Sequence, residues 1–135
     1  MDGIIFDVDG TLWDSVEVVA ESWNLAIKEN SDLEPNLNRE ILQGLFGKTM
    51  DEIAAGVFPD LDPDSRRKLM DICFDYENRY LETHPGVYYE GVMDTLKELA
   101  LEYPLFIVSN CQCGYIEVMM KGAGMEPYIK DFLCF

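Results

Sequence analysis

Asp7 and Asp9 stand two residues apart in Asp7-Val8-Asp9-Gly10-Thr11, directly after the apolar run Gly3-Ile4-Ile5-Phe6. Two carboxylates at the mouth of a strand suit Mg²⁺, a hard cation that takes oxygen ligands and keeps several waters. Gly10 permits a tight turn behind the pair, and Thr11 offers a hydroxyl back toward it. A second polar pair, Ser109-Asn110, follows the apolar run Pro104-Leu105-Phe106-Ile107-Val108. Ser109 offers a hydroxyl and a backbone N–H to an anionic oxygen. Ligands of open α/β sheets bind beyond the carboxyl ends of the strands. If the two strands are neighbours, Asp7, Asp9, Ser109 and Asn110 therefore converge on one point, an assembly suited to phosphoryl transfer onto a carboxylate. A single acid after a strand is usually a turn former or helix cap. An acid pair, a glycine and a second strand ending in Ser-Asn make a far more specific signal.

The elements that must position these residues are readable. Gly3 to Val8, Pro104 to Val108 and Asp131 to Phe135 read as strands, the first of them as a buried parallel strand. Val92, Leu96, Leu99 and Ala100 mark a helix before the second strand. Tyr115, Ile116, Met119, Met120 and Ala123 mark another after it, with Gly122 and Gly124 at its end. This alternation predicts an α/β fold with a partial doubly wound parallel sheet of three strands. A crossover between parallel strands takes roughly 30 residues, and the first two strands stand much further apart. The intervening stretch reads as four helices inserted after the acid pair. Asp14 or Ser15 caps the first, whose face is Val16, Val19, Ala20, Trp23, Ala26 and Ile27. Ile41, Leu42 and Leu45 belong to the second, which stops at Gly47. Thr49 and Glu52 form a capping box for the third. Asp62-Pro63 opens the fourth, whose face is Leu69, Ile72, Cys73, Tyr76 and Tyr80. The expected division is a core of residues 1–13 and 85–135 and a four-helix cap of residues 14–84.

Composition narrows the partners. The 135 residues carry a formal net charge of −16, which argues against nucleic acid and against an anionic membrane surface. No apolar run reaches the roughly 18 residues of a membrane span. The first residues already read as a strand, so a cytoplasmic protein with four reduced cysteines is expected. Cys111-Gln112-Cys113 lacks the spacing of a redox or zinc knuckle, and His84 is the single histidine. Trp23, Tyr76 and Tyr80 read as core rather than as ligand stackers.

Phe6-Asp7-Val8-Asp9-Gly10-Thr11-Leu12 with Asp14-Ser15 resembles the first motif of the haloacid dehalogenase superfamily, and Ile107-Val108-Ser109-Asn110 resembles its second. The inserted helices resemble the cap of its phosphoglycolate phosphatase and β-phosphoglucomutase branch. The resemblance implies a Rossmannoid core and a Mg²⁺-dependent phosphatase acting on small phosphorylated metabolites. It implies Asp7 as the nucleophile that forms an aspartyl-phosphate and Asp9 as the acid and base. It places Mg²⁺ on the Asp7 side chain and the Asp9 backbone carbonyl. Ser109 holds a phosphoryl oxygen, with Asn110 supporting that loop and Thr11 supporting the acid pair. Gly47-Lys48-Thr49 resembles the cap loop that faces substrate, where Lys48 is either a substrate contact or a solvated lysine before a helix.

The family's later lysine and metal-binding acids have no counterpart through Phe135. The chain thus reads as truncated at its C-terminus, with weak or absent turnover expected from it alone. A phosphomutase of the same branch, or an inactive fragment serving as a binding or self-associating module, are the competing readings. With no further strand beside it, the first strand presents an apolar edge, and self-association through that edge is expected.

Overall fold

In the computed structural model, residues 2–134 are described. Strand β1 (Ile4–Phe6) runs parallel to β4 (Leu105–Ser109), pairing Ile4 with Leu105 and Phe6 with Ile107. On the other side of β4 lies β5 (Asp131–Cys134), also parallel, so the sheet order is β1-β4-β5. The first two expected strands are thus neighbours. Phe135 lies outside the described residues.

Helices α5 (Val92–Ala100) and α6 (Tyr115–Ala123) flank β4 in the chain. They bury Leu96, Tyr115, Ile116, Met119 and Met120 against Leu105 and Ile107. Gly124, at φ 68°, ends α6 in the left-handed conformation that glycine tolerates best. The expectation of a buried first strand is corrected on one face. Ile4 and Phe6 pack on the core, whereas Ile5 points away and is 68% exposed. Successive strand side chains alternate between faces, and nothing among the described residues covers the face that Ile5 occupies.

The helices α1 (Val16–Asn30), α2 (Arg39–Gln43), α3 (Met50–Val57) and α4 (Pro63–Thr83) follow the acid pair. They share a separate apolar cluster that includes Val19, Trp23, Leu42, Ile53, Leu69 and Phe74. The capping box forms as expected, with the Thr49 hydroxyl accepting from the Glu52 N–H and the Glu52 carboxylate accepting from the Thr49 N–H. Asp62 caps α4 by accepting from the Ser65 N–H at 3.0 Å. Of the expected α4 face, Leu69 and Cys73 are buried, but Ile72, Tyr76 and Tyr80 are partly exposed, and Met70, Phe74, Glu77 and Leu81 complete the buried face instead. Leu45 lies beyond α2, buried in the turn that follows.

Two strands were not foreseen. β2 (Trp13–Asp14) and β3 (Val87–Tyr88) pair antiparallel, the one just before α1 and the other just after α4. Gly86 permits this approach, since a Cβ there would meet the Asp14 carbonyl oxygen at 2.9 Å. The expectation of four reduced cysteines is also corrected. Cys113 and Cys134 are bonded, while Cys73 and Cys111 are free and buried. Parallel pairing of β4 with β5 brings the segment after β4 beside the end of β5, and this brings the two sulfurs together. No helix among the described residues is long and apolar enough to cross a membrane.

Candidate active site

The chain leaves β1 at Phe6 and turns sharply at Gly10, whose φ of 76° is cheap only for glycine. The Val8 carbonyl ties the turn by accepting from the N–H groups of Thr11 at 3.1 Å and Leu12 at 2.9 Å. Val8 is fully buried and anchors the loop, so the side chains on either side of it are held at the sheet's end. Asp7 is exposed; its Oδ1 accepts from the Val8 N–H at 2.9 Å. Asp9 turns inward, where its Oδ1 accepts from the Ser15 hydroxyl at 3.3 Å and from the Tyr115 hydroxyl. The Ser15 and Tyr115 oxygens are 2.8 Å apart, and the Trp13 indole N–H donates to Tyr115 at 3.2 Å.

Burial dominates the electrostatics of Asp9. It raises the carboxyl to about 6, against the lowering effect of the Tyr115 and Ser15 hydrogen bonds; the neighbouring Asp7 charge adds to the rise. A carboxyl with that proton affinity exchanges protons readily near neutrality.

Ser109 closes β4 and is 6% exposed, while Asn110 is exposed beyond it. The Asn110 amide donates to the Gly47 carbonyl at 3.3 Å, so the loop after β4 touches the loop before α3. A cavity of about 30 Å³ lies between them, lined by Asp9, Asn110, Gln112 and Tyr115 from one side and by Trp23 and Glu77 from the other. It holds about two waters. Gly47 lines it, but Lys48 is exposed and outside it. Thr11 is likewise exposed and outside the lining, as is Asp7. A neighbouring cleft joins Asp9 and Gly10 to Arg39, whose guanidinium is already paired with Asp14 at 2.7 Å.

Ser15, Tyr115, Gln112 and Glu77 join the site without a motif that marks them. Of the two cap candidates, Ser15 makes no side-chain cap bond, and Asp14 accepts from the Val16 N–H at 3.1 Å. Glu77 did carry a signal: it occupies the apolar spacing Met70, Phe74, Glu77, Leu81 on α4 and is 3% exposed. Burial pushes it up to about 8, with the Asp9 charge reinforcing that rise against the Gln112 hydrogen bond.

The donors suit Mg²⁺ as hard oxygens. Asp7 Oδ2 makes none of the described hydrogen bonds, and the Asp9 carbonyl accepts none from the backbone. Among the described residues, however, no three His, Cys, Asp or Glu side chains cluster as a metal site. Asp7 and the Asp9 carbonyl would therefore hold such an ion with only part of its coordination shell.

The haloacid dehalogenase-like hydrolase family matches residues 4–134, and the chain belongs to that family. Comparison with curated proteins gives no match. Among solved structures, a predicted phosphoglycolate phosphatase from Haemophilus somnus 129PT superposes with a TM-score of 0.85 at 22% identity, over 99% of this chain and 62% of that one. CbbY from Rhodobacter sphaeroides, in complex with xylulose-(1,5)bisphosphate, gives 0.78 at 14% identity, over 99% and 63%. The hydrolase YfnB from Bacillus subtilis, bound to magnesium, gives 0.63 at 22% identity, over 98% and 64%. The chain therefore shares their fold and spans less than two thirds of the length of each.

Proposed function

We propose that this site hydrolyses small phosphate monoesters with Mg²⁺, through an aspartyl-phosphate on Asp7. The observation that carries the reading is the contrast between the two acids: Asp7 is solvent-facing, whereas Asp9 is half-buried, turned inward onto Ser15 and Tyr115, and raised to about 6. A carboxylate open to substrate beside a carboxyl that holds a proton divides the work between nucleophile and acid. An Asp7 oxygen forms a bond to phosphorus as the bond from phosphorus to the alcohol oxygen breaks. Asp9 gives its proton to that leaving oxygen. Water then attacks the phosphorus of the acyl phosphate and passes a proton to the Asp9 carboxylate, which releases phosphate and restores Asp7. Ser109 receives a phosphoryl oxygen, and Asn110 and Thr11 support the two loops. Bound at Asp7 and the Asp9 carbonyl, Mg²⁺ supplies positive charge against the phosphoryl oxygens.

A phosphate ester does not fit a cavity with room for about two waters. Helices α1 to α4 act as a cap that swings open to admit it. Lys48, on the exposed loop before α3 and outside the cavity, has no assigned contact with the ester. The cavity lining holds no Lys or Arg, so slow turnover is expected where charge stabilisation is usually a large catalytic contribution. The reading is tested by rapid-quench mass spectrometry of the chain mixed with an aryl phosphate and Mg²⁺. A phosphoryl adduct on Asp7 is expected, and none on Asp7→Asn. An adduct that survives Asp7→Asn, or none on the unaltered chain, overturns the reading.

A further inference from the structure

The side of the cavity remote from Asp7 has polar groups that the proposed chemistry does not use. Trp23 is 1% exposed, lines the cavity, and its indole N–H has no partner within hydrogen-bonding distance among the described residues. A buried donor left unpaired is costly, and native structures rarely tolerate one without a reason. Beside it stands Glu77, close enough for the indole to favour its ionised form. Its described hydrogen bond comes from Gln112, which also donates to Asn78 at 2.9 Å. Asn78 in turn donates to the Cys113 carbonyl at 3.1 Å. Thus Glu77 and Trp23 belong to the cap helices, while the partners that α4 now holds belong to the loop after β4. Those cross-cap hydrogen bonds must be exchanged for others when an ester enters.

We propose that Trp23 Nε1 and the Glu77 carboxyl form a leaving-group subsite that selects esters of neutral, hydroxyl-bearing alcohols over esters whose alcohol carries a second anion. This rests on the phosphatase reading above and deepens it. A hydroxyl is at once donor and acceptor, so one placed between an indole N–H and a carboxyl satisfies both. Phe46, Met50, Ile53 and Phe74 form apolar walls beside it. A carboxylate or second phosphate can accept from the same groups, but it brings a charge that they do not neutralise. It would be buried between Asp9 and Glu77 with no cation in the lining, and an unpaired buried charge is strongly disfavoured. Arg39 does not supply the missing charge, because it lies in the neighbouring cleft, paired with Asp14 and Glu17. On this ground the chain differs in preference from a phosphoglycolate phosphatase.

The experiment is amide and indole NMR titration of the full chain with Mg²⁺ and three probes: inorganic phosphate, glycerol 1-phosphate and 2-phosphoglycolate. The two indole signals are assigned with Trp23→Phe. Inorganic phosphate is expected to move the Ser109 and Asn110 amides. Glycerol 1-phosphate is expected to move these and the Trp23 indole, and to bind at least about ten-fold more tightly than 2-phosphoglycolate, the scale of losing one good hydrogen-bonded match. Both Trp23→Phe and Glu77→Leu should lower the ratio of glycerol-phosphate to inorganic-phosphate affinity by a similar factor. Glu77→Gln, which keeps a donor and an acceptor, should retain it. Equal or tighter binding of 2-phosphoglycolate overturns the subsite, as does a Trp23 signal unmoved while the Ser109 amide shifts. An unchanged ratio in Glu77→Leu does the same. If inorganic phosphate leaves Ser109 and Asn110 unmoved, the phosphate site itself is wrong and the inference falls with it.

Discussion

Asp9 and Glu77 are both acids whose proton affinity is raised by burial, and their surroundings give opposite handles for testing them. The Tyr115 hydroxyl donates to Asp9 and accepts from the Trp13 indole N–H. Hydrogen bonds to a carboxylate are worth roughly 1.5–3 kcal/mol when charged, or about one to two units of proton affinity. Tyr115→Phe should therefore raise the Asp9 midpoint above about 6 by that amount, followed by carboxyl ¹³C NMR; an unchanged or lower midpoint would contradict the geometry. Glu77 bears on stability. Folding raises it from 4.5 to about 8, so the native state binds a proton that the unfolded state has released across this interval. Stability then falls as pH climbs from about 4.5 to about 8, by at most about 5 kcal/mol. Glu77→Gln lacks that ionisation. Its stability relative to the unaltered chain should rise by a few kcal/mol between about pH 5 and about pH 9 in urea unfolding. A constant difference would mean that water reaches the carboxylate in the native state.

At the scale of elements, what was legible was local. Thr49 with Glu52 and Asp62 with Pro63 announce helix starts because cap and partner lie within one turn. The α5 and α6 faces follow from spacing alone. The acid loop and Ser109 were legible as strand endings, and parallel pairing of β1 with β4 then brings them to the same end of the sheet. Tyr115 was readable only as a helix face, since its site partner Asp9 lies 106 residues away. The β2–β3 ribbon has two residues per strand, too few to show a period. The Cys113–Cys134 bond, at a separation of 21, follows from how β4 and β5 pair and not from any spacing rule. It staples the segment carrying Gln112 to the end of β5. In denaturant without reductant, a thiol reagent should titrate two of the four cysteines. In the native state it should find almost none, because burial pushes Cys73 and Cys111 up to about 12. By chain entropy, closing a loop of this size stabilises by about 3 kcal/mol, so Cys113→Ser should lower the urea-derived stability by that order. Four titratable thiols in denaturant would restore the expectation of reduced cysteines.

Across the whole molecule, two properties oppose each other. The formal charge of −16 makes copies repel. Yet β1 pairs only with β4, leaving the other edge of Ile4–Phe6 unpaired among the described residues, with Ile5 68% exposed beside it. An apolar strand with unpaired N–H and C=O groups is a template for another strand, and the matching strand at hand is β1 of a second copy. Repulsion between the copies acts over the Debye length, about 10 Å in 0.1 M salt and about 3 Å in 1 M salt, whereas strand pairing acts at contact. Salt should therefore weaken the repulsion far more than the pairing. Sedimentation velocity should show a monomer at low salt and a growing dimer as salt and protein concentration rise. Ile5→Lys adds a charge at the edge, a known way of blocking such pairing, and should hold the chain monomeric throughout. If the unaltered chain stays monomeric in 1 M salt at high concentration, the β1 edge does not pair with itself. If Ile5→Lys dimerises equally, the contact lies elsewhere on the molecule.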